Sequence, residues 1–518
     1  KPLLARQDLI AACIAQPYLV STCRGTLKNI RHIDRTPGRL SQRAGTPRDL
    51  LSLANSLDNI PTLKQDLTAV ASTTSLASEL LQKIEEFPEL VELLQTALVD
   101  EPPASTKDGG MIRDGYNAEL DELRSASTDG KKWIAKLQES ERQRTGIDTL
   151  KIKFNNVFGY FIEISKAKAG NVPDDYTRKQ TMANAERFIT SELKELENKV
   201  LGAEERSKQL ELEEFIKLRN QLCEHIDDLQ TTADALASLD VLLGLAETAQ
   251  LLGHTRPKLD ESTHLQIIDG RHPVLEQTLV DEKFVPNDTL LDPVSSNLVV
   301  LTGPNMAGKS TYIRQVALIT LMAQIGAYVP AESAHIGLTD RIFCRVGASD
   351  DLARGQSTFM VEMNETSLII NNATEKSLVI LDEIGRGTAT FDGLSIAWSV
   401  AEHLHDVIKS RTLFATHYHE LTDLANTREA VANYNVAVRE WNDDIIFLRK
   451  ILPGTADKSY GIQVAKLAGL PPSIVNRAKD ILSHLEMNSS KPEAKGKPKA
   501  KNTKQTMPQA DSPQMDLF

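Results

Sequence analysis

Residues 303–310 constrain the fold of this 518-residue chain more than any other segment, because they read GPNMAGKS directly after the apolar run NLVVLT. This spacing matches GxxxxGK[ST], in which a glycine-rich turn joins a buried strand to a helix. Backbone N–H groups of such a turn point at phosphate groups, assisted by the helix N-terminus. We therefore predict a parallel α/β sheet with a nucleotide phosphate site. The predicted phosphate-binding residues are Gly303, Pro304, Asn305, Met306, Ala307, Gly308, Lys309, Ser310 and Thr311.

Two acidic residues follow a second apolar run, SLVILDE, which ends in Asp382 and Glu383. Ligands bind outside the carboxyl ends of strands in open α/β sheets, so this pair is expected beside the phosphate site. Lys309 would reach the β and γ phosphates, and the Ser310 hydroxyl would coordinate Mg²⁺. Asp382 would hold the same ion through water, and Glu383 would polarise the attacking water. The alternative is that the two acids only cap the following loop.

Two further segments offer polar groups to a nucleotide. The apolar run TLFATH ends in His417 at the predicted sheet edge, where its imidazole would sense the γ phosphate. A purely structural histidine is the alternative. In RGQSTFMVEM, Ser357 precedes an amphipathic helix and offers a hydroxyl and helix N-terminal N–H groups to an anion. That anion would be a phosphate held by another subunit, whereas an ordinary N-capped helix is the competing interpretation.

The remainder of the chain divides by its apolar spacing. Helical periodicity runs from Ala5 to about Leu98, and TLKIKFNNVFGYFIEIS predicts a β-hairpin over residues 149–165. Helix is predicted to resume near Asn184 and to continue from Ala203 to about Leu252 as an arm. Two short helices are predicted after Pro453. Past Met487 the chain is rich in Lys, Pro and polar residues, which predicts disorder.

The amino-acid composition excludes some classes of protein and leaves others open. The length requires several domains, and 41% hydrophobic and 25% charged residues are ordinary for a globular protein. The net charge of −12 does not decide whether a nucleic acid is bound, because local basic surfaces occur on acidic proteins. No apolar run suits a membrane span or signal peptide, so a cytoplasmic location with no membrane partner is expected. The chain opens with Lys1, which suggests part of a longer protein.

The four cysteines carry no metal or disulfide pattern. They show no CxxC pair and no histidine at zinc-ligand spacing. We expect reduced, structural cysteines at Cys13, Cys23, Cys223 and Cys344.

Four motifs together carry a resemblance to a known family. GPNMAGKST, RGQSTFMVEM, LDEIGRGTATFDG and ATHYHEL, in this order and spacing, closely resemble the ATPase domain of the MutS family of bacterial DNA mismatch-repair proteins. The resemblance continues upstream through DGYNAELDELR, GIDTLKIKFNNVFGYFIEIS, NAERFITSELKELE and GRHPVLE. It covers nearly all of the chain that we expect to be ordered.

The resemblance implies a fold of mixed α/β and mostly-α class with several domains. A helical lever domain would carry an inserted β-containing clamp, followed by a P-loop ABC-type ATPase domain and a small helix-turn-helix dimerisation element. The implied boundaries are 1–131 for the first part of the lever, 132–191 for the DNA clamp, 192–255 for the second part of the lever, 256–454 for the ATPase domain, 455–486 for the dimerisation element and 487–518 for a disordered tail.

The family's ATPases are of the ABC class, in which two subunits complete each other's ATP sites with Mg²⁺. By this resemblance, Asn305 would contact the γ phosphate and Ser357 would act on the partner's nucleotide. Glu383 would be the catalytic acid and His417 the sensor. The implied base-packing residues are Phe284, as the adenine-stacking aromatic, and Arg449, at a position that is often His in relatives.

Several partners are implied as well. Double-stranded DNA, mismatch-containing for the full-length protein, would be gripped by the clamp without reading sequence, although a solvated charged face is the alternative. The basic residues in question are Lys151, Lys153, Lys166, Lys168, Arg178 and Lys179. A homodimer, possibly a tetramer, would be supported by the last two helices through Ile462, Val464, Leu467, Ile474 and Val475. A MutL-type repair protein would be a further partner.

The last five residues, QMDLF, are similar to peptides that bind the replication sliding clamp, through Gln514, Leu517 and Phe518. A chance chain end is the alternative. No Phe-x-Glu segment of the mismatch-reading domain precedes the lever region, so this chain alone is not expected to discriminate mismatched DNA.

The function implied is that of a DNA mismatch-repair ATPase, a dimeric clamp that binds and hydrolyses ATP in the cytoplasm, in association with the nucleoid. Two alternatives stay open. Another ABC-class ATPase would need an LSGGQ-type loop, which is not visible. A DNA-junction-binding relative or a non-catalytic DNA scaffold would use nucleotide only as a switch.

Overall fold

The computed structural model describes residues 1–155, 157–279, 282–304, 306–347, 358–441, 444–455 and 460–489. Predictions that concern Asn305, Ser357, the tail from residue 490 and its Gln514, Leu517 and Phe518 lie outside the described residues. Within them, helical and β-rich segments follow one another in a mixed α/β fold of several domains, as predicted.

Seven helices form the predicted helical N-terminal region. They are α1 (Pro2–Ile14), α2 (Pro17–Leu27), α3 (Arg35–Ser41), α4 (Pro47–Leu57), α5 (Ile60–Ala71), α6 (Ser75–Lys83) and α7 (Pro88–Ala97). Five of them have proline in the first turn, where the missing N–H costs no hydrogen bond. At the start of α4, Thr46 and Asp49 form a reciprocal capping box. These local signals explain why helices begin where they do.

Three long helices follow: α8 (Ala118–Thr145), α9 (Ser191–Glu224) and α10 (Ile226–Leu252). The predicted continuous helix over 203–252 is therefore divided at His225. Helices α8 and α9 pack closely, because a Cβ at Gly130 would overlap the side chain of Val200. The N-terminal helices, α9 and α10 share one apolar core that includes Cys13 and Cys23. Burial raises the pKa of Cys13 to about 11, so that thiol stays protonated near neutral pH.

Among the described residues, helix α10 is long and apolar enough to cross a membrane, judged by length and composition alone. Of its apolar stretch, 39% is buried inside the protein. Its buried residues, among them Leu236, Leu239 and Leu243, belong to the core that it shares with α1, α2 and α6. Core packing therefore accounts for the apolar composition of this helix.

A four-stranded antiparallel sheet lies between α8 and α9 in the chain. Its strands are β1 (Lys151–Asn155), β2 (Gly159–Ser165), β3 (Thr177–Thr181) and β4 (Ala185–Ile189), in the order β1-β2-β4-β3, and a 3-10 helix spans Lys166–Asn171. The predicted hairpin is confirmed, with Asn155 opposite Gly159. The prediction of helix from Asn184 is wrong. Glu186 and Phe188 alternate with less buried neighbours in β4, and α9 begins only after Thr190, whose side chain accepts a hydrogen bond from the Leu193 N–H.

The segment from Lys258 onward contains two sheets. A small sheet has the order β5-β9-β6-β7, from β5 (Lys258–Asp260), β6 (Leu265–Gly270), β7 (Asn287–Leu291) and β9 (Ser333–Gly337). The large sheet has the order β10-β11-β12-β8-β13-β14, from β8 (Leu298–Thr302), β10 (Ile342–Arg345), β11 (Leu378–Asp382), β12 (Arg411–Ala415), β13 (Val431–Trp441) and β14 (Asp444–Pro453). All neighbours in the large sheet are parallel except β13 and β14. The predicted strand order along the chain is confirmed, while the β13–β14 ribbon was not predicted.

Helices cover both faces of the large sheet. They are α12 (Lys309–Gln324), α13 (Thr358–Asn372), α14 (Thr390–His403) and α15 (Leu424–Thr427), with a π-helical turn at Leu404–Ile408 and a 3-10 helix at His419–Asp423. A short helix, α11 (Leu275–Thr278), lies between β6 and β7 in the chain. One apolar cluster packs α12 against one face, and a second packs α13 and α14 against the other. Strands β8, β11 and β12 are buried along their whole length, as continuous apolar runs predict.

Two helices end the described chain, α16 (Gly461–Leu467) and α17 (Pro472–Ser489), as predicted. Of the apolar residues expected to pack, Val475 is buried, whereas Leu467 and Ile474 are exposed in this single chain. Leu470, Ile481 and Leu485 are exposed as well. Grouped exposed apolar residues are typical of an interface, so these two helices are candidates for one.

Candidate nucleotide-binding site

The glycine-rich turn between β8 and α12 has the backbone that its sequence predicts. Gly303 and Gly308 have φ of 134° and 108°, in the left-handed region that residues with a Cβ avoid. A Cβ on Gly303 would also lie 3.3 Å from Val436 on β13. Met306, at the apex, is exposed and has φ of 68°. The turn therefore presents its backbone to a ligand immediately before the N-terminus of α12.

Lys309 is buried at the first position of α12. Its Nζ donates to the carbonyl oxygens of Gly303 at 2.6 Å and Pro304 at 3.2 Å, and it lies 3.9 Å from Glu383 Oε1. Burial lowers the pKa of this ammonium, while Glu383 and Asp382 act in the opposite direction. The lysine thus bonds back to the turn, and its charge lies beside the predicted phosphate position.

Asp382 and Glu383 lie at the carboxyl end of β11, beside β12 in the sheet. Asp382 is buried, and the Glu383 N–H donates to the Ala415 carbonyl at 2.8 Å. Glu383 has φ of 56°, a strained value that turns the chain sharply after the strand. Its Oε2 pairs with Arg386 at 2.5 Å. The two predicted acids therefore lie at the predicted phosphate site, and Arg386 fixes the position of one of them.

A cavity of about 430 Å³ brings the predicted metal ligands Ser310 and Asp382 together with the predicted catalytic Glu383, because all three line it. Asp382 Oδ1 is buried and has no hydrogen-bond partner among the residues that the structure describes. Hydroxyl and carboxylate oxygens are the ligands that Mg²⁺ prefers, and this unpaired oxygen would gain one by binding the ion or its water. The residues present therefore fit Mg²⁺.

His417 follows β12 by two residues, at the same edge of the sheet. Its ring lies 4.2 Å from the Tyr418 ring, centroid to centroid. Partial desolvation lowers the pKa of His417, and the positive charges of Arg386 and Lys309 lower it further. The imidazole is therefore neutral near pH 7 and close to the predicted phosphate position, where it would hydrogen-bond rather than add charge.

A second cavity, of about 250 Å³, lies on the other side of the glycine-rich turn. Phe284 and Arg449 line it together with Met306 and Thr311. Arg449, on β14, pairs with Glu282 at 2.7 Å. The two residues assigned to the nucleotide base by resemblance thus lie in one pocket that adjoins the phosphate turn, and a flat aromatic ring there suits stacking on a base.

The sequence analysis assigns no role to Glu362, which lies next to the turn that follows the predicted catalytic Glu383. Glu362 lies on α13 and is buried, and its Oε1 accepts a hydrogen bond from the Gly385 N–H at 2.5 Å. Its Oε2 lies 3.4 Å from Arg345 of β10, and the Tyr418 hydroxyl donates to the Gly385 carbonyl at 3.0 Å. The turn after β11 is therefore held from both sides. The available sequence signal was a glutamate among the apolar residues of the segment MVEM, which suggests a charged side chain that faces the protein interior.

The basic residues of the clamp sheet are spread over its two edges rather than gathered at one point. Lys151 and Lys153 are on β1 and Arg178 and Lys179 on β3, the outer strands of the sheet. Lys153 pairs with Glu163 at 2.7 Å, and Arg178 pairs with Glu186 at 2.9 Å. Part of this positive charge is therefore neutralised within the sheet, and the predicted DNA contact stays a prediction.

The parallel sheet, the glycine-rich turn and the acid pair define a P-loop nucleotide-binding domain. Residues 299–486 match the family model described as MutS domain V, and residues 115–206 match the one described as MutS family domain IV. The chain belongs to the MutS family.

Curated relatives are similar in sequence to this chain over most of its length. It is 53% identical over 466 residues to the DNA mismatch repair protein MutS of Acetivibrio thermocellus, covering 90% of this chain and 53% of that protein. It is 54% identical over 490 residues to the protein of that name from Pelotomaculum thermopropionicum, covering 95% and 56%. For the Myxococcus xanthus protein the values are 53% over 484 residues, with 93% and 54% covered. The chain thus spans about half the length of the curated relatives that it matches.

Proposed function

We propose that this chain is the part of a DNA mismatch-repair protein that contains its lever, its DNA clamp and its ATP-hydrolysing domain. It would act as a homodimer on double-stranded DNA. The observation that carries the proposal is the convergence of Ser310, Asp382 and Glu383 on one cavity beside a buried P-loop lysine. The relatives' printed name, DNA mismatch repair protein MutS, supports the assignment of the process.

The geometry of the described residues and the resemblance to the family together support the following roles. Backbone N–H groups of the turn and Lys309 bind the phosphates, and Ser310 and Asp382 hold Mg²⁺, which neutralises phosphate charge when bound. Glu383 accepts a proton from the attacking water, and Arg386 keeps its carboxylate in place. Neutral His417 hydrogen-bonds the γ phosphate. Phe284 stacks on the adenine, with Arg449 at the rim of the pocket.

The nucleotide site is proposed to be composite. Ser357 of a second copy would complete each site, and the exposed apolar residues of α16 and α17 support self-association. The individual DNA contacts of the clamp, a MutL-type partner, sliding-clamp binding and a nucleoid-associated cytoplasmic location stay predictions. The competing proposal is a junction binder or scaffold in which nucleotide serves only as a switch.

Steady-state ATP hydrolysis with and without duplex DNA separates these functions. We expect Mg²⁺-dependent turnover whose rate changes at least about twofold with duplex, because the proposal couples DNA binding to the state of the nucleotide site. The change should weaken as salt is raised, since phosphate contacts release counterions. A Glu383→Ala sample, purified in parallel, measures contaminating ATPase. Nucleotide binding without turnover would overturn the proposal in favour of the scaffold.

A further inference from the structure

Helix α11 lies between the base pocket and the end of the long helix α10. Leu275 and Leu279 line the pocket together with Phe284 and Arg449. Between these two leucines, Glu276 directs its carboxylate to a different set of residues. Its Oε2 accepts a hydrogen bond from Arg271 Nε at 2.6 Å, and its Oε1 lies 3.5 Å from His254 Nε2. One short helix therefore forms a wall of the pocket and carries the centre of a buried charged cluster.

Arg271 connects that cluster to the last turn of α10. Its guanidinium donates to the carbonyl oxygens of Leu252 and Gly253, each at 3.4 Å. Gly253 ends the helix with φ of 61°. The final carbonyls of a helix have no partner within it and carry partial negative charge, so a cation held there stabilises the helix end. Glu276 keeps this cation in position.

The segment that leaves α10 is held by backbone pairing at Thr255 and faces Glu276 at His254. Thr255 exchanges backbone hydrogen bonds with Val329, both at 2.9 Å, and its hydroxyl donates to Ala331. His254 and Glu276 face each other, yet His254 Nε2 and Glu276 Oε1 make no hydrogen bond within the described part of the chain. Burial lowers the pKa of His254, which keeps its imidazole neutral and able to donate one N–H. A small movement that closes the 3.5 Å separation would let this pair form a hydrogen bond.

We propose that Arg271, Glu276 and His254 form a joint through which filling of the base pocket acts on the lever helix α10. The inference rests on the proposed nucleotide site and adds a route for its regulation. When a base pushes against Leu275 and Leu279, α11 shifts, Glu276 closes on His254 and the Arg271 cap tightens on the last carbonyls of α10. Packed elements of this kind switch between discrete arrangements rather than deform continuously. These residues touch no nucleotide and are positioning residues.

The joint is tested by hydrogen–deuterium exchange of the intact chain, in peptides covering residues 246–256, with and without ATPγS and Mg²⁺. In the wild type we expect nucleotide to slow exchange there by about threefold or more, because opening of the helix end becomes rarer. Glu276→Gln keeps the size of the side chain and removes its charge. It should lose this protection while its ATPγS affinity stays within about threefold of wild type. The exposed Glu332→Gln is the matched control and should respond as wild type does.

A second variant guards against loss of folding. His254→Asn leaves the Arg271–Glu276 pair intact, and it should also lose most of the nucleotide-dependent protection, with a thermal unfolding midpoint close to that of wild type. Equal protection in wild type and both variants overturns the joint, as does no protection in a wild type saturated with ATPγS. A wild type that fails to bind ATPγS at all, measured separately by fluorescence, overturns the proposed function and the joint with it.

Discussion

Glu383→Ala is expected to bind ATP almost as well as wild type and to lower kcat for hydrolysis by about 10²–10⁴-fold, the usual contribution of a general base. The carboxylate shares a cavity with Ser310 and Asp382 and is held by Arg386. Its removal leaves the glycine-rich turn and Lys309 in place, so the ground-state contacts to the phosphates persist. Single-turnover hydrolysis and binding of a fluorescent ATP analogue measure the two quantities separately.

The matched control for this variant is Glu375→Ala, an exposed glutamate just before β11, near the amino end of the strand that Glu383 follows. It should leave both quantities unchanged. A Glu383→Ala protein that hydrolyses ATP within about tenfold of wild type would show that another group activates the water, since such a loss is below the range for a general base.

Lys309→Met is expected to weaken ATP binding by roughly 10–100-fold, because a hydrogen bond to a charged group contributes about 1.5–3 kcal/mol. The same substitution should change the thermal unfolding midpoint little. Two effects on the stability of the fold oppose each other. Removing a buried cation whose pKa is lowered by desolvation is stabilising, whereas losing the donor to the Gly303 and Pro304 carbonyls is destabilising. Isothermal titration with ATP measures the affinity.

The control for the lysine is Lys376→Met, which replaces an exposed lysine close to β11 but far from its carboxyl end. It should bind ATP as wild type does. Wild-type affinity in Lys309→Met would contradict the assignment of this lysine to the phosphates. A large fall in its unfolding midpoint would instead assign it to holding the turn.

The parts of the site that the sequence predicts are those formed by contiguous residues. The glycine-rich turn needs only a strand before it and a helix after it. Both signals lie directly beside GPNMAGKS in the sequence, as NLVVLT before it and the helix that begins at Lys309. The sequence also predicts Asp382 and Glu383 beside this turn, because the carboxyl ends of parallel strands share one edge of a sheet. The structure brings these acids to Lys309, with Glu383 3.9 Å from its ammonium.

The parts that the sequence could not predict depend on distant partners. The five residues of β4 sit directly before a helical pattern, and only pairing with β2 and β3 makes them a strand. Glu362 contacts Gly385 across 23 residues of sequence, and Arg449 reaches Glu282 across 167. Periodicity describes one segment at a time, so it does not encode which distant segment is adjacent. The resemblance implies Phe284 and Arg449 at the base, but the pocket that they share and the proposed joint on α11 are seen only in three dimensions.

The central claim is that each P-loop forms half of a site that a second copy completes. It is tested by mixing two inactive proteins, Glu383→Ala and Ser357→Arg, in equal amounts and measuring steady-state ATP hydrolysis after subunit exchange. In a two-fold symmetric dimer with random pairing, half of the dimers are mixed, and each of these has one intact site. The mixture is therefore predicted to regain about one quarter of wild-type activity, by the same symmetry argument. Activity no higher than that of the two separate variants, with mixed dimers demonstrated, would contradict the composite site.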